Sequence, residues 1–250
     1  MIGTRRIALE KVDSTNRYAR DLLTRQPGEG TVVTAEIQSA GRGRMQRNWR
    51  SPLSQNLLAT VILYPAREGE EWGGLPLLAG VAVTQALQRL APIEVHVKWP
   101  NDVLVDEKKI SGILVETGIR NDVPWALIGI GVNVNQQHFE GEYRLPPTSL
   151  ALEAGRPFDT DEVLSEVCRD LDLLYTRWTA EGNPPILQAW REATRMFGRK
   201  TVIEQQAGRV EGEAIDIDAD GALLIRTPDG AVERILAGDA LPAPDEGKKE

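Results

Sequence analysis

The chain has 250 residues, of which 41% are hydrophobic and 26% charged, and its formal net charge is -8 at pH 7. These values are ordinary for a globular protein with a substantial core, and they allow one large domain or a medium domain with a small appendage. The acidic balance argues against a general nucleic-acid-binding protein, because such proteins carry a basic surface that neutralises phosphates. One cysteine and two histidines exclude an internal disulfide framework and give no zinc-ligand spacing.

The sequence also bears on the compartment of the protein. We find no signal peptide and no stretch near the roughly 18 apolar residues of a membrane span, so we predict a cytoplasmic protein without a membrane partner. The lone Cys168 fits a reducing compartment and, beside an apolar helical stripe, is expected in the core. The charged tail at residues 244–250 is predicted to be disordered.

Residues 1–198 predict a mixed α and β domain. Alternating or continuous apolar runs predict strands at residues 7–9, 31–37, 55–63, 95–98, 103–105, 109–116 and 125–134. Helical spacing predicts a helix that ends before Pro27, a core helix at 74–91, a long helix capped by Asp159 or Thr160, and a helix at 184–197 with Gly198 as its C-cap. Short turns between neighbouring strands favour mostly antiparallel pairing, so the predicted fold class is α+β, with a central mixed, largely antiparallel sheet and flanking helices.

After Gly198 the sequence predicts only short strands and tight turns. Short strands are predicted at residues 201–204, 209–218, 222–226 and 232–236, and Asp-Gly pairs at 220–221 and 229–230 are hairpin signals. We therefore predict a small all-β domain of the barrel kind at residues 199–243.

The most informative segment is an arginine-rich loop at residues 41–52. It has no acidic side chain, and it carries Gly41, Arg42, Gly43, Arg44, Arg47, Trp49 and Arg50. Glycines let a backbone approach a ligand closely, and arginine forks match phosphate or carboxylate oxygens. A solvated basic loop is the alternative, although a tryptophan in a polar loop usually stacks on an adenine ring or on the protein core. The loop contains no P-loop pattern, and Gln46 stands where a dinucleotide fingerprint needs its third glycine.

Two further turns carry candidate chemistry. Asn101 and Asp102 follow the predicted strand 95–98, and Lys109 begins the strand after the next turn. A carboxylate beside phosphates suggests Mg²⁺ held by Asp102. Taken singly, Asp102 would more often be a turn residue, Lys109 a surface lysine and Asn133 the end of a strand.

Together, four segments resemble successive motifs of the biotin protein ligases, in the family's order and spacing. They are the arginine-rich loop 41–52, KWPND at 98–102, KISGILVE at 109–116 and GIGVNVN at 129–135. The resemblance extends over roughly residues 7–240, and several motifs in order are far more specific than one alone. It implies a catalytic domain at 1–198 and an SH3-like β-barrel at 199–243.

The resemblance also implies an activity and its residues. The family joins biotin to ATP as biotinyl-5′-adenylate with release of pyrophosphate, and then transfers biotin to a lysine of a biotin carboxyl carrier protein. The implied biotin-binding residues are Ser14, Thr15, Gln38, Gly41, Arg42, Arg44, Lys109 and Gly112. The implied ATP-binding residues are Arg44, Arg47, Trp49, Asn101, Lys109 and Asn133, with Arg44, Lys109 and Asp102 in catalytic roles and Asp102 as the candidate Mg²⁺ ligand.

Several expectations accompany this resemblance. The catalytic domain begins by Ile7, which leaves no room for the DNA-binding domain of some family members, so we predict no nucleic-acid partner. A homodimer is suggested, with the strand around residues 129–135 as its edge. The family's common arginine-glycine pair is replaced by Met45 and Gln46, which should restrict the tip of the loop. We also expect residues 41–50 to be disordered without ligand and to order on binding, because the adenylate must be shielded from water.

Two other functions compete. A lipoate–protein ligase would use the same adenylate chemistry, but it is disfavoured by the complete loop and KWPND motifs. A non-catalytic binder of nucleic acid or of biotin is disfavoured by the acidic charge in the first case and by Lys109 and Asp102 in the second.

Overall fold

The computed structural model describes residues 1–51, 54–67, 69–205 and 208–242. The predicted disordered tail and the last residue of the arginine-rich loop, Pro52, lie outside the described residues. In the part of the chain that is described, no helix is both long and apolar enough to cross a membrane.

Within the described residues, seven strands form a large sheet. They are β1 (Arg6–Val12), β2 (Val32–Gln38), β3 (Leu57–Leu63), β4 (Val95–Lys98), β5 (Asp102–Val105), β6 (Lys108–Arg120) and β7 (Val123–Val132). Their order in space is β1-β2-β3-β7-β6-β5-β4, and β1 pairs with β2 in parallel while the other pairs are antiparallel. The predicted mixed, largely antiparallel sheet is therefore confirmed.

The centre of the large sheet is formed by β3 and β7. Every residue of β3 is buried, as expected for an apolar run with both faces covered. Strand β7 pairs with β3 on one side and with β6 on the other. The predicted dimer edge around residues 129–135 is therefore wrong, because the strand there has no free hydrogen-bonding edge.

Helices cover both faces of the large sheet. They are α1 (Thr15–Leu22), α2 (Gly74–Leu90), α3 (Leu150–Ala154), α4 (Thr160–Glu181) and α5 (Pro184–Ala193). On one face of the large sheet, Ala19 of α1 packs on Val33, Ile62 and Leu127. On the opposite face, α2 and α4 pack together over the strand residues that alternate with these. Cys168 of α4 is buried in that second core, as predicted, and burial raises the pKa of its thiol to about 11.

The predicted start of α4 is confirmed, and the predicted end of α5 is wrong. Asp159 caps α4 by accepting a hydrogen bond from the backbone N–H of Asp161. Helix α5 ends at Ala193 and not near 197, because extended Thr194 donates its hydroxyl proton to the Val97 carbonyl and bridges to β4. Gly198 is therefore not a C-cap. The short helix α3 was not predicted.

Five antiparallel strands form a small sheet in the described C-terminal part, in the order β11-β10-β9-β8-β12. They are β8 (Lys200–Gln205), β9 (Gly208–Ile217), β10 (Leu223–Arg226), β11 (Val232–Ile235) and β12 (Asp239–Pro242). The separate β unit is confirmed, although β12 was not predicted. The small sheet is docked on the rest of the chain: the indole N–H of Trp99 donates to the Gly221 carbonyl at 3.0 Å, and Arg191 pairs with Asp216 at 2.7 Å. This docking brings β12 to the site described next.

Candidate active site

The arginine-rich loop joins β2 to β3, which are neighbours in the large sheet. It closes on itself, because the backbone N–H of Gly43 donates to the Arg47 carbonyl and that of Trp49 donates to the Gly41 carbonyl. A Cβ on Gly41 would lie 2.5 Å from the Trp49 carbonyl oxygen, so only glycine fits there. At the tip Met45 has a φ of 52°, in the left-handed region that non-glycine residues adopt at a cost.

The indole of Trp49 lies on the backbone of β6 and β7. A Cβ on Gly131 would be 2.6 Å from the indole and one on Gly112 would be 2.9 Å from it, so both glycines make room for the ring. The ammonium of Lys109 is 5.7 Å from the ring centroid, within the range of a cation–π contact. The indole Nε1 is buried and has no hydrogen-bond partner among the described residues.

A carboxylate that is only 13% exposed lies between two lysines at the start of β5. Asp102 forms an ion pair with Lys109 through Oδ1, and its Oδ2 lies 3.4 Å from the ammonium of Lys98. Burial opposes ionisation of Asp102, but the two positive charges outweigh it and hold the pKa of the carboxyl below its usual value. Burial lowers the pKa of Lys98, against the opposing effect of Asp102.

Arg44 points toward the same cluster. Its guanidinium donates to the Asn101 side-chain oxygen at 3.3 Å, and the Asn101 amide donates to the Ile113 carbonyl at 2.5 Å. Asn101 is thus anchored on β6 and holds Arg44 in place. Burial lowers the pKa of Arg44, while the nearby Asp102 charge acts in the opposite direction.

A neutral polar group lies at the N-terminus of α1. Gln38 accepts hydrogen bonds from the backbone N–H of Thr15 at 2.7 Å and from its hydroxyl at 3.1 Å. Ser14 occupies the N-cap position, but its side chain makes no capping hydrogen bond within the described chain. Next to them, the hydroxyl of Thr60 lies 2.7 Å from Asn16 Oδ1 and 2.8 Å from Thr15 Oγ1.

The small sheet supplies a carboxylate to the opposite wall. Asp239 of β12 forms ion pairs with Arg47 and, at 3.0 Å, with Arg144. The Asp239 side chain is only 11% exposed, so this contact is largely desolvated. Burial and the charge of Arg144 lower the pKa of Arg47. The small sheet therefore contacts an arginine of the loop directly.

These groups line one cavity of about 700 Å³. Among the predicted site residues, those that line it are Ser14, Thr15, Gln38, Arg42, Arg44, Arg47, Trp49, Asn101, Asp102, Lys109, Gly112 and Asn133. Gly41 is not part of the lining and acts by supporting Trp49 and Gln38. Ser14, Thr15, Asn16 and Gln38 form a neutral end of this lining, with Arg42 close to it near Asp13, whereas Arg44, Asp102 and Lys109 form a charged end. In the described chain no three His, Cys, Asp or Glu side chains are grouped as a metal site.

Sequence reasoning missed several residues of this site, among them the lining residues Asn16, Gly129, Arg144 and Asp239, and Thr60, which contacts Asn16. Asn16 could have been found because it follows Ser14 and Thr15 directly, and Thr60 because it is a lone polar residue in an apolar strand. No local signal marks Arg144 or Asp239. Their roles follow from the docking of the small sheet.

Comparison with known proteins identifies the family. The model of the biotin/lipoate A/B protein ligase family matches residues 8–133, and that of the biotin protein ligase C-terminal domain matches residues 197–241. The chain is 35% identical to the bifunctional ligase/repressor BirA of Bacillus subtilis, over 96% of this chain and 74% of that protein. It is 32% identical to the biotin–[acetyl-CoA-carboxylase] ligase of Mycobacterium tuberculosis, over 93% of this chain and 88% of that protein.

A solved structure agrees in fold. The biotin protein ligase from Aquifex aeolicus, in complex with biotin and ATP, superposes with a TM-score of 0.84 at 28% identity, over 96% of this chain and all of that one. The matched motifs, the curated relatives and the shared fold agree, and the chain belongs to the biotin protein ligase family.

Proposed function

We propose that this chain activates biotin with ATP as biotinyl-5′-adenylate, releases pyrophosphate and transfers the biotinyl group to a lysine of a biotin carboxyl carrier protein. The observation that carries the proposal is the polarity of the cavity. One end offers the hydroxyl and amide groups of Thr15 and Gln38 to a neutral polar ring, and the other offers Arg44 and Lys109 to phosphates. A single ligand that joins a biotinyl group to a nucleotide matches this order of groups.

The first step brings two anions together. A carboxylate oxygen of biotin attacks the α-phosphorus of ATP, and pyrophosphate leaves. No general base is needed, so the protein acts by alignment and by neutralising charge. Lys109 lies against Trp49 and Asp102, and Arg44 donates to Asn101, so these contacts orient both cations in the cavity.

The described residues fit a protein-held Mg²⁺ poorly. Asp102 is the predicted ligand, but Oδ1 faces Lys109 and Oδ2 faces Lys98, so a metal ion would have to displace an ammonium. An Mg²⁺ held by nucleotide phosphates, its usual ligands in such sites, would not need a carboxylate of this chain. Asp102 then serves to orient the two lysines.

In the second step the neutral amine of the carrier's acceptor lysine attacks the biotinyl carbonyl of the adenylate, an amide bond forms and AMP leaves. The low pKa of Asp102 makes it a weak base for removing the proton of the acceptor lysine. We propose that solvent removes this proton, because both oxygens of Asp102 already face Lys98 and Lys109.

Other elements of the prediction stay as proposals. They are the domain bounds 1–198 and 199–243, the cytoplasmic location, the homodimer, the absence of a nucleic-acid partner, and the ordering of residues 41–50 on binding. Limited proteolysis with and without biotin and ATP tests the last of these, and equal cleavage would contradict it.

The test of the function is biotin-dependent exchange of labelled pyrophosphate into ATP. We expect exchange in the wild type and a loss of about 100-fold or more in Lys109→Ala and in Arg44→Ala, the size seen when one transition-state donor is removed. The control is Lys108→Ala, because Lys108 pairs with Glu153 outside the cavity. Exchange with lipoate instead of biotin would make the chain a lipoate ligase, and exchange with neither would make it a binder.

A further inference from the structure

A buried amide stands between the cavity and a surface ion pair. Asn16 lies in the first turn of α1, is 4% exposed and lines the neutral end of the cavity. Its amide nitrogen donates to Glu116 Oε2 at 3.0 Å and to the Leu114 carbonyl at 3.3 Å, and its oxygen accepts from Thr60 at 2.7 Å. Both amide hydrogens are therefore bound to β6.

These contacts fix which way the amide points. A flipped Asn16 would set its oxygen against the Glu116 carboxylate and the Leu114 carbonyl, and would set its N–H groups toward Thr60. Two acceptor–acceptor contacts are unfavourable in a buried site. The acceptor oxygen of Asn16 is thus kept against Thr60 and the cavity-lining Gly129, and the Thr60 hydroxyl lies 2.8 Å from Thr15 Oγ1, whose proton goes to Gln38.

Glu116 itself lies outside the cavity lining and is bound on its other side by Arg20. The Arg20 side chain is 45% exposed, so the surface ion pair contributes little by itself. The buried contact is the one to Asn16. Glu116 thus connects a surface residue to an amide that faces a ligand.

We propose that Glu116 is a positioning residue for recognition of the ureido ring of biotin, acting through the orientation of Asn16. The ring carries two N–H donors and one carbonyl acceptor, so it needs acceptors that do not rotate. Asn16 Oδ1 and Gln38 Oε1 are acceptors at this end of the cavity. Of the two amides, it is that of Asn16 whose nitrogen donates to a carboxylate, that of Glu116. The inference rests on the proposed function, because it takes biotin as the ligand.

The decisive variants separate the hydrogen-bond acceptor from the ion pair. Glu116→Met keeps the length of the side chain and removes the acceptor, Glu116→Gln restores an acceptor without the charge, and Arg20→Ala removes the ion pair alone. We expect Glu116→Met to weaken biotin binding about 10-fold and to raise the KM for biotin by the same factor, with kcat and the KM for ATP within about twofold of wild type. Glu116→Gln and Arg20→Ala should bind biotin within about twofold of wild type.

Calorimetry with biotin alone measures this binding, and Glu107→Gln is the matched control, since Glu107 pairs with Arg199 on a surface away from the cavity. Equal biotin affinity in the wild type and Glu116→Met would overturn the positioning role while leaving the proposed function intact. A wild type that binds no biotin would overturn both. Equal losses in Glu116→Met, Glu116→Gln and Arg20→Ala would show a purely structural ion pair.

A second measurement covers the case in which Glu116→Met does not fold. The side-chain amide protons of Asn16 in the wild type should exchange slowly with solvent, because both are bound to β6. Exchange at the rate of a free asparagine amide would contradict the proposed orientation.

Discussion

Two glycines of β7 lie beneath different parts of the cavity lining, one against Asn16 and one against Trp49. Alanine substitution at each should therefore affect the binding of one substrate only. Gly129 and Gly131 are two residues apart on a strand, so they face the same side of the sheet. A Cβ on Gly129 would lie 2.2 Å from Asn16 Oδ1, and one on Gly131 would lie 2.6 Å from the Trp49 indole. An ordinary contact is about 3.5 Å or more, so each neighbour has to move by about 1 Å.

The two displacements differ in cost. Asn16 is held by hydrogen bonds to Thr60, Glu116 and Leu114. At about 0.5–1.5 kcal/mol for each bond, the displacement disturbs up to about 4.5 kcal/mol. We expect Gly129→Ala to lower the free energy of unfolding by about 2–3 kcal/mol, in the range of overpacked cores. For a chain of this size that corresponds to a fall in Tm of about 4–12 °C.

Trp49 is held less firmly, because it lies on a loop and its Nε1 has no partner in the described chain. We therefore expect Gly131→Ala to cost less than about 1 kcal/mol of stability. Its effect should be on the KM for ATP, whereas Gly129→Ala should raise the KM for biotin. Each KM should rise by about 10-fold, and the other substrate should change by less than about twofold.

Urea unfolding and the pyrophosphate-exchange assay measure these effects. Gly28→Ala is the control, because a Cβ there meets nothing within 4 Å. The division of the cavity is refuted if Gly129→Ala raises the KM for ATP and not that for biotin, or if both variants lose equal stability.

Three further predictions concern titratable side chains with little exposure to solvent. Asp102→Asn leaves the ammonium groups of Lys98 and Lys109 facing each other, so urea unfolding should show a loss of about 3 kcal/mol, and unchanged stability would contradict the pairing. Asp239→Asn removes the carboxylate shared by two half-exposed arginines, so it should cost only about 1 kcal/mol but raise the KM for ATP several-fold through Arg47; an unchanged KM would argue against the contact. Burial lowers the pKa of His96, so the unfolded state takes up its proton first as the pH falls. The free energy of unfolding should therefore decline as the pH falls from about 6.5 to the lower pKa of His96 in the folded protein. Urea unfolding at pH 7.5 and 5.5 should show a smaller decline in His96→Gln than in the wild type.

The sequence predicted the local features of this chain well. Apolar periodicity identified the core strands and the long helices, because burial of one face imposes the period of the element on the sequence. The Asp-Gly pairs predicted hairpins in the C-terminal region, where β9, β10 and β11 follow one another. The error at the end of α5 arose because Thr194 is held by Val97, nearly one hundred positions away in the chain. Secondary-structure propensity depends on residues close in sequence and does not include such a contact.

For the site, the chain by itself determined which side chains carry the chemistry: the arginine-rich loop, Asp102 and Lys109 stand in ordered motifs that local spacing reveals. Only the tertiary structure decided how they are held. The pairing of β7 with β3 and β6 placed Gly129 against Asn16 and excluded the predicted dimer edge. The docking of the small sheet brought Asp239 to Arg47. The physical reason is that buried hydrogen bonds and ion pairs join residues distant in sequence, and their geometry exists only once the sheets have formed.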